Sequence, residues 1–172
     1  DSNCLSYTGV YSAQAKDIAR STDFTSSVTI TSSGNDCTFS SNSIPNHDFN
    51  DGKSSFVNQA AAVTESFNIP GTPTTASSTT ALSLSYDNGI FLNGVKLDLL
   101  AAACYNVHDE KTGCTDMSQA WRFDPMHGAN NFKTDTHNAH SQPDGGYHYH
   151  GSPKAMFNDS VKSPVIGFAA DG

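Results

Sequence analysis

Basic residues are scarce in this chain. Its 172 residues include 9 Lys and Arg against 17 Asp and Glu, which gives a formal net charge of -8. A surface with this charge repels phosphate backbones and anionic lipid headgroups. We therefore expect neither nucleic acid nor an acidic membrane as a partner.

Long apolar runs and several catalytic motifs are also absent. No segment approaches the roughly 20 consecutive apolar residues that a membrane-spanning helix needs, because Asn, Gly or Asp interrupts the longest apolar stretches. The sequence contains neither a Gly-x-Ser-x-Gly motif nor a phosphate-binding glycine loop. These absences argue against a membrane span, covalent serine catalysis and nucleotide use.

The cysteines include no Cys-x-x-Cys pair, and their even number favours disulfides over thiolate metal ligands. They are Cys4, Cys37, Cys104 and Cys114. A bond between Cys104 and Cys114 would close a short loop and leave Cys4 with Cys37, although the two other pairings remain open. Persistent disulfides occur in the periplasm or outside the cell, so we predict an exported protein. The start at Asp1, without Met, agrees with removal of a signal peptide.

Most patterned segments have the period of β-strands. Residues 24–39 hold two alternating runs around a turn cluster, which predicts a β-hairpin. Residues 82–97 contain two Asn-Gly steps and predict a tight meander. Short helices are expected at residues 99–104 and 116–123, and residues 70–80 are too poor in apolar side chains to pack. The predicted fold is mainly β, with antiparallel hairpins in a sandwich or barrel-like sheet domain and one or two short helices.

Four of the seven histidines lie within residues 137–150. The sequence Pro-Asp-Gly-Gly at residues 143–146 is a strong turn signal, so a strand should begin at residue 147. Side chains of a strand alternate between its two faces. We therefore expect His148 and His150 to point to one face and the tyrosines of the same strand to point to the other.

Two imidazoles at positions i and i+2 on one strand face can bind a single metal ion at about 2.0–2.1 Å. His140, folded back over the turn, is the nearest candidate for a third ligand, whereas His137 would join it only through a helical turn. Imidazole ligands suit Zn or Cu. The sequence therefore predicts a transition-metal site, for Zn or Cu, built from His140, His148 and His150.

Three hypotheses for function remain open at this point. If water completes the metal shell, hydrolysis becomes feasible, with Asp144 and Asp171 as partners of the ligands or as acid and base. In a non-enzymatic alternative, Ser/Thr-rich β-structure forms a surface recognition module and the histidines only organise the core. A third hypothesis is periplasmic copper binding, which Met126 would favour by joining the site. His108, beside two acidic residues, is expected to be a solvated surface residue.

Five pieces of the sequence resemble the YHYH-motif family of exported bacterial proteins, most of which have no known function. They are Ile44-Pro45-Asn46-His47-Asp48, Leu92-Asn93-Gly94-Val95, residues 138–145, Tyr147-His148-Tyr149-His150-Gly151 and residues 163–172. The resemblance runs from about residue 27 to the end. It implies one YHYH-type domain over residues 1–172, shorter at its C-terminus than the family. It also raises His47 as a candidate fourth ligand, the alternative being that His47 braces a turn after Pro45.

Overall fold

The structure is a computed structural model that describes residues 3–108, 111–114, 116, 118–128 and 132–172, and for residues 111–114 the backbone alone. The strands in these residues are β1 (Gly9–Asp17), β2 (Thr22–Ser33), β3 (Asp36–Ser41), β4 (Glu65–Pro70), β5 (Gly89–Phe91), β6 (Lys96–Leu97), β7 (Cys104–Asn106), β8 (Lys111–Cys114), β9 (Trp121–Arg122), β10 (Ala139–Ser141), β11 (Tyr147–Tyr149) and β12 (Gly167–Ala169). Two 3-10 helices cover Cys4–Tyr7 and Lys154–Met156. The mainly β fold class with short helices is confirmed.

The first sheet is an antiparallel meander in the order β1-β2-β3-β4. Val28 and Ile30 of β2 are buried while the side chains between and beside them are more exposed, as expected of a strand with one face on a core. The turn between β2 and β3 contains Gly34, whose φ of 63° favours glycine. This pair of strands is the hairpin predicted over residues 24–39.

The second sheet has the order β10-β11-β6-β5-β12. Strand β11 runs parallel to β6, through the pair Tyr149 and Leu97, and the other neighbours are antiparallel. The turn between β5 and β6 contains Gly94 at φ 80°, and a Cβ there would lie 2.8 Å from the Cβ of Val28. This Asn-Gly turn was predicted correctly, and it lets the second sheet approach the first.

The two sheets share a core. Val28, Ile30 and Phe39 of the first sheet pack in one buried cluster with Ile90 and Phe168 of the second. A further buried cluster contains Ala15, Ile44, Phe49, Phe56, Ala60, Phe91, Val95, Ala139, Tyr147 and Tyr149. The arrangement is the predicted sandwich, and none of the sheets closes into a barrel within the described residues. No helix in the same residues is long and apolar enough to cross a bilayer.

One predicted strand of the meander is wrong. The segment 82–86 alternates in sequence but forms no strand, and Leu82 is 78% exposed. The reason is that both edges of β5 are already occupied, one by β6 and the other by β12. A segment that would have to pair with β5 therefore finds no open edge there for its backbone hydrogen bonds.

The two predicted helices are also wrong. Residues 99–103 are irregular and lead into β7, and the described part of residues 116–123 leads into β9; residue 117 lies outside the described residues. These two segments pair with each other in a third sheet, in the order β8-β7-β9. A helix of so few residues is marginal by itself, so pairing between the segments prevails over their weak helical signal.

Cys4 and Cys37 form a disulfide with a Cα–Cα distance of 6.3 Å. The bond joins the N-terminal 3-10 helix to β3, and both side chains are buried. This pair was predicted correctly. Cys104 lies opposite Cys114 in the register of β7 and β8, a placement that suits a disulfide. The side chain of Cys114 lies outside the described residues, so the second bond stays a prediction.

Candidate metal centre

Strands β10 and β11 bring two histidines directly opposite each other. In their antiparallel register His140 faces His148. The connecting turn is closed by a hydrogen bond from the amide of Gly145 to the carbonyl of Gln142 at 2.9 Å, with Gly145 at φ 96°. The expected turn at residues 143–146 thus folds His140 back over the strand.

His150 completes a group of three imidazoles. Its amide donates to the carbonyl of Asn138 at 2.9 Å and so continues the pairing of β10 and β11 by one residue. Its Nε2 atom lies 3.2 Å from Nε2 of His140 and 3.1 Å from Nε2 of His148. Ligands of a tetrahedral zinc ion at 2.0–2.1 Å are separated by about 3.3 Å. Nε2 of His150 therefore lies close to metal-ligand spacing from both other rings, and one ligand atom from each of the three histidines lies within 4.8 Å of the other two.

Backbone carbonyls determine the tautomers of two of these rings. Nδ1 of His150 lies 2.9 Å from the carbonyl oxygen of Leu99, and Nδ1 of His148 lies 3.4 Å from that of Gly146. Because a carbonyl oxygen can only accept, each Nδ1 must donate its proton. In the neutral rings both Nε2 atoms then carry lone pairs, and these lone pairs face each other at 3.1 Å.

The group is shielded from solvent. His148 and His150 are 2% and 7% exposed, and the ring of Phe132 packs against His140 with ring centroids 4.7 Å apart. Burial, reinforced by the neighbouring imidazoles, lowers the pKa of His140 and of His148 to about 3. Burial also lowers the pKa of His150. Because these pKa values are lowered, protonation of an imidazole at neutral pH does not relieve the repulsion between the Nε2 lone pairs.

A carboxylate that sequence analysis missed lies beside the imidazoles. Asp98 directly follows β6, and its Oδ2 atom is 3.5 Å from Nε2 of His148. The side-chain amide of Gln142 donates to the same oxygen at 3.3 Å. The parallel pairing of β6 with β11 places Asp98 there, and pairing between segments so far apart leaves no local sequence signal.

His47 lies on the opposite face of β11 and does not join the three histidines. Its Nδ1 donates to the Asp48 carbonyl at 2.6 Å, and its Nε2 accepts from the Tyr149 hydroxyl at 2.6 Å. The same hydroxyl accepts from Asn93 at 3.0 Å. Burial lowers the pKa of His47 to about 4, although the hydrogen bond to the Asp48 carbonyl raises it. Both ring nitrogens are thus engaged, and this geometry supports the alternative in which His47 braces a turn.

His137 also lies on the face opposite the three imidazoles. Its ring packs against His47 with centroids 4.3 Å apart, and its Nε2 is 3.7 Å from Oδ2 of Asp51. A turn separates it from β10, with Asn138 at φ 62°. The chain therefore changes direction between His137 and His140, which places the two imidazoles on different faces.

Neither acidic residue chosen from the sequence is part of the group. Asp144 is exposed and accepts from the amide of Gly146 at 2.9 Å, so it stabilises the turn. Asp171 is exposed and follows β12, at the edge of the sheet opposite β10. His108 is exposed, as expected. Met126 lines a surface cavity together with Phe132.

Comparison with known proteins gives a match to a family model. A family model described as YHYH protein matches residues 66–172, which is more than half of the chain. The matched residues include Asp98 and the three clustered histidines, whereas His47 precedes them. No curated protein and no solved structure gives a match.

Proposed function

The chain belongs to the YHYH protein family, and we propose that its His140, His148 and His150 bind one transition-metal ion, Zn or Cu. The observation that carries the proposal is the convergence of three Nε2 atoms, with two neighbouring separations of 3.1 and 3.2 Å. Imidazole nitrogen is a ligand that both metals accept. A metal ion at the shared point would receive all three lone pairs.

Electrostatics support an ion at this place. Two lone pairs facing each other in a buried site repel, and low local polarity strengthens the repulsion. Hydrogen bonds to the carbonyls of Gly146 and Leu99 hold the rings of His148 and His150 in this orientation. Such bonds from the second ring nitrogen are typical of metal-binding histidines, because they determine the tautomer and orient the ring.

We further propose that the protein acts outside the cytoplasm, in the periplasm or the extracellular space. The Cys4–Cys37 disulfide supports this location, since structural disulfides persist mainly in oxidising compartments. In that setting no thiol of this pair is free to compete with the imidazoles for metal.

The burial of the ligands favours metal retention over turnover. A catalytic zinc needs an open coordination position for water or substrate, and two of the three imidazoles are almost fully buried. Metal-dependent hydrolysis is therefore the second candidate, supported by the partly exposed His140, which forms the most accessible side of the group. A protein that binds no metal would leave the surface recognition module as the better hypothesis.

Elemental analysis of the exported protein, purified without an affinity tag or added metal, tests the proposal. About one equivalent of Zn or Cu per chain is expected. The triple variant His140→Ala/His148→Ala/His150→Ala should carry none, while His108→Ala, which removes an exposed imidazole, should match the parent. Absence of bound metal from the parent, both as purified and after incubation with each ion, would refute the proposal.

A further inference from the structure

Asp98 is held against the three-histidine group by its backbone as well as its side chain. Its amide donates to the Tyr149 carbonyl at 2.9 Å, which ties residue 98 to the C-terminal end of β11. The next carbonyl along the chain, that of Leu99, accepts from Nδ1 of His150. The two residues that follow β6 therefore contact both buried histidines, Asp98 through its carboxylate at His148 and Leu99 through its carbonyl at His150.

The two oxygens of this carboxylate have different neighbours. Oδ1 lies 3.5 Å from the ammonium group of Lys96, which also pairs with Asp87 at 3.1 Å. Oδ2 points to Nε2 of His148 at 3.5 Å and accepts from Gln142. The ion pair with Lys96 and the hydrogen bond from Gln142 thus orient the carboxylate so that one oxygen faces the imidazole.

The contact between Asp98 and His148 joins two acceptors. Nδ1 of His148 donates to the Gly146 carbonyl, so Nε2 of the neutral ring has no proton to give to the carboxylate. An ion between the two atoms makes the contact favourable, and the 3.5 Å separation is close to the roughly 3.3 Å between ligands of a tetrahedral metal. Asp98 is not among the residues whose ligand atoms all lie within 4.8 Å of one another, so its carboxylate must turn about the side-chain bonds to reach the point that the three histidines share.

We propose that Oδ2 of Asp98 is the fourth ligand, so that the centre consists of three imidazoles and one carboxylate and takes a divalent cation. This inference rests on the proposed function. Three neutral imidazoles leave both charges of a divalent ion uncompensated in a buried site, whereas the carboxylate neutralises one of them. A carboxylate oxygen is also a hard ligand that favours Zn²⁺ or Cu²⁺ over Cu⁺.

The experiment compares zinc binding by the parent, Asp98→Asn and Asp144→Asn, each treated with chelator and titrated with Zn²⁺. Both variants lose one negative charge, but Asp144 lies in the exposed turn and its replacement keeps an oxygen acceptor. Asp98→Asn should weaken zinc binding by more than the roughly 10–100-fold typical of residues that only support a ligand. Asp144→Asn should stay within a few-fold of the parent. The visible spectrum of bound Co²⁺ should change for Asp98→Asn alone.

Thermal unfolding of the metal-free proteins shows whether Asp98→Asn folds. If it does not, Asp98→Glu takes its place, because a longer side chain displaces the oxygen and should also weaken zinc binding at least about 10-fold. Parental affinity and an unchanged Co²⁺ spectrum in the Asp98 variant would overturn the ligand role of Asp98 and leave the three-histidine site standing. An equal loss in Asp144→Asn would also overturn it. A parent that binds neither ion refutes the proposed function itself.

Discussion

The Nε2 atoms of His148 and His150 lie 3.1 Å apart, although both rings donate from Nδ1 to backbone carbonyls. Residues i and i+2 of a regular strand are separated by about 6.5 Å along the chain. The two rings converge because each is turned by its own carbonyl acceptor. The structure thus holds the imidazoles in the orientation that a shared ion requires. The opposite face of β11, which carries Tyr149, can be tested separately.

Tyr149→Phe should reduce stability and leave metal binding nearly unchanged. The Tyr149 hydroxyl accepts from Asn93 and donates to His47, so its removal leaves buried polar atoms unpaired at a cost of about 1–3 kcal/mol in the free energy of unfolding. Urea denaturation of the metal-free protein measures the loss, and a zinc titration measures the affinity. Tyr11→Phe, which removes an exposed hydroxyl, should change stability by less than about 0.5 kcal/mol. A large loss of zinc affinity in Tyr149→Phe with unchanged stability would contradict this account.

The metal-free protein should lose stability as pH falls from about 6.5 to about 4. Burial lowers the pKa of His47 from 6.5 to about 4, so in this range the unfolded chain binds a proton that the folded chain does not, and acidification favours unfolding. One pKa unit corresponds to about 1.4 kcal/mol, so His47 contributes up to about 3 kcal/mol of this loss. Chemical denaturation at a series of pH values should give a flatter profile for His47→Gln than for the parent. The other buried histidines are common to both proteins, so parallel profiles would show that His47 does not contribute.

Both disulfides should be present in the exported protein. Non-reducing peptide mapping is expected to recover Cys4 with Cys37 and Cys104 with Cys114. The Cys4–Cys37 bond spans a sequence separation of 33, and removing it should lower the free energy of unfolding by about 3–4 kcal/mol on the chain-entropy estimate. Recovery of Cys104 and Cys114 as free thiols would contradict the second pairing and weaken the argument for export.

Sequence patterns correctly predicted the features that depend on residues close together in the chain. Strand alternation placed His148 and His150 on one face of β11, and the turn at residues 143–146 brought His140 opposite them. Local patterns did not show which sheet edges are occupied. The alternating segment 82–86 consequently forms no strand, because β6 and β12 already flank β5.

The same limit explains why the sequence pointed to Asp144 and Asp171 and not to Asp98. Asp144 is adjacent to the histidines along the chain but lies in an exposed turn. Asp98 reaches His148 because β6 and β11 are neighbours in the sheet, although their pairing involves a single parallel register between Leu97 and Tyr149. Parallel pairing between strands that are far apart in sequence produces neither a turn motif nor a periodic pattern that would predict it.

Whether the clustered histidines bind one metal ion is tested by a zinc and copper titration of the chelator-treated parent protein and the double variant His148→Ala/His150→Ala, with His108→Ala as the matched control. Loss of two ligand bonds should weaken binding well beyond the roughly 10–100-fold effect of changes around a ligand. We expect one tight site in the parent and in His108→Ala, and none in the double variant. Equal, micromolar-or-tighter affinity in the parent and the double variant would contradict it.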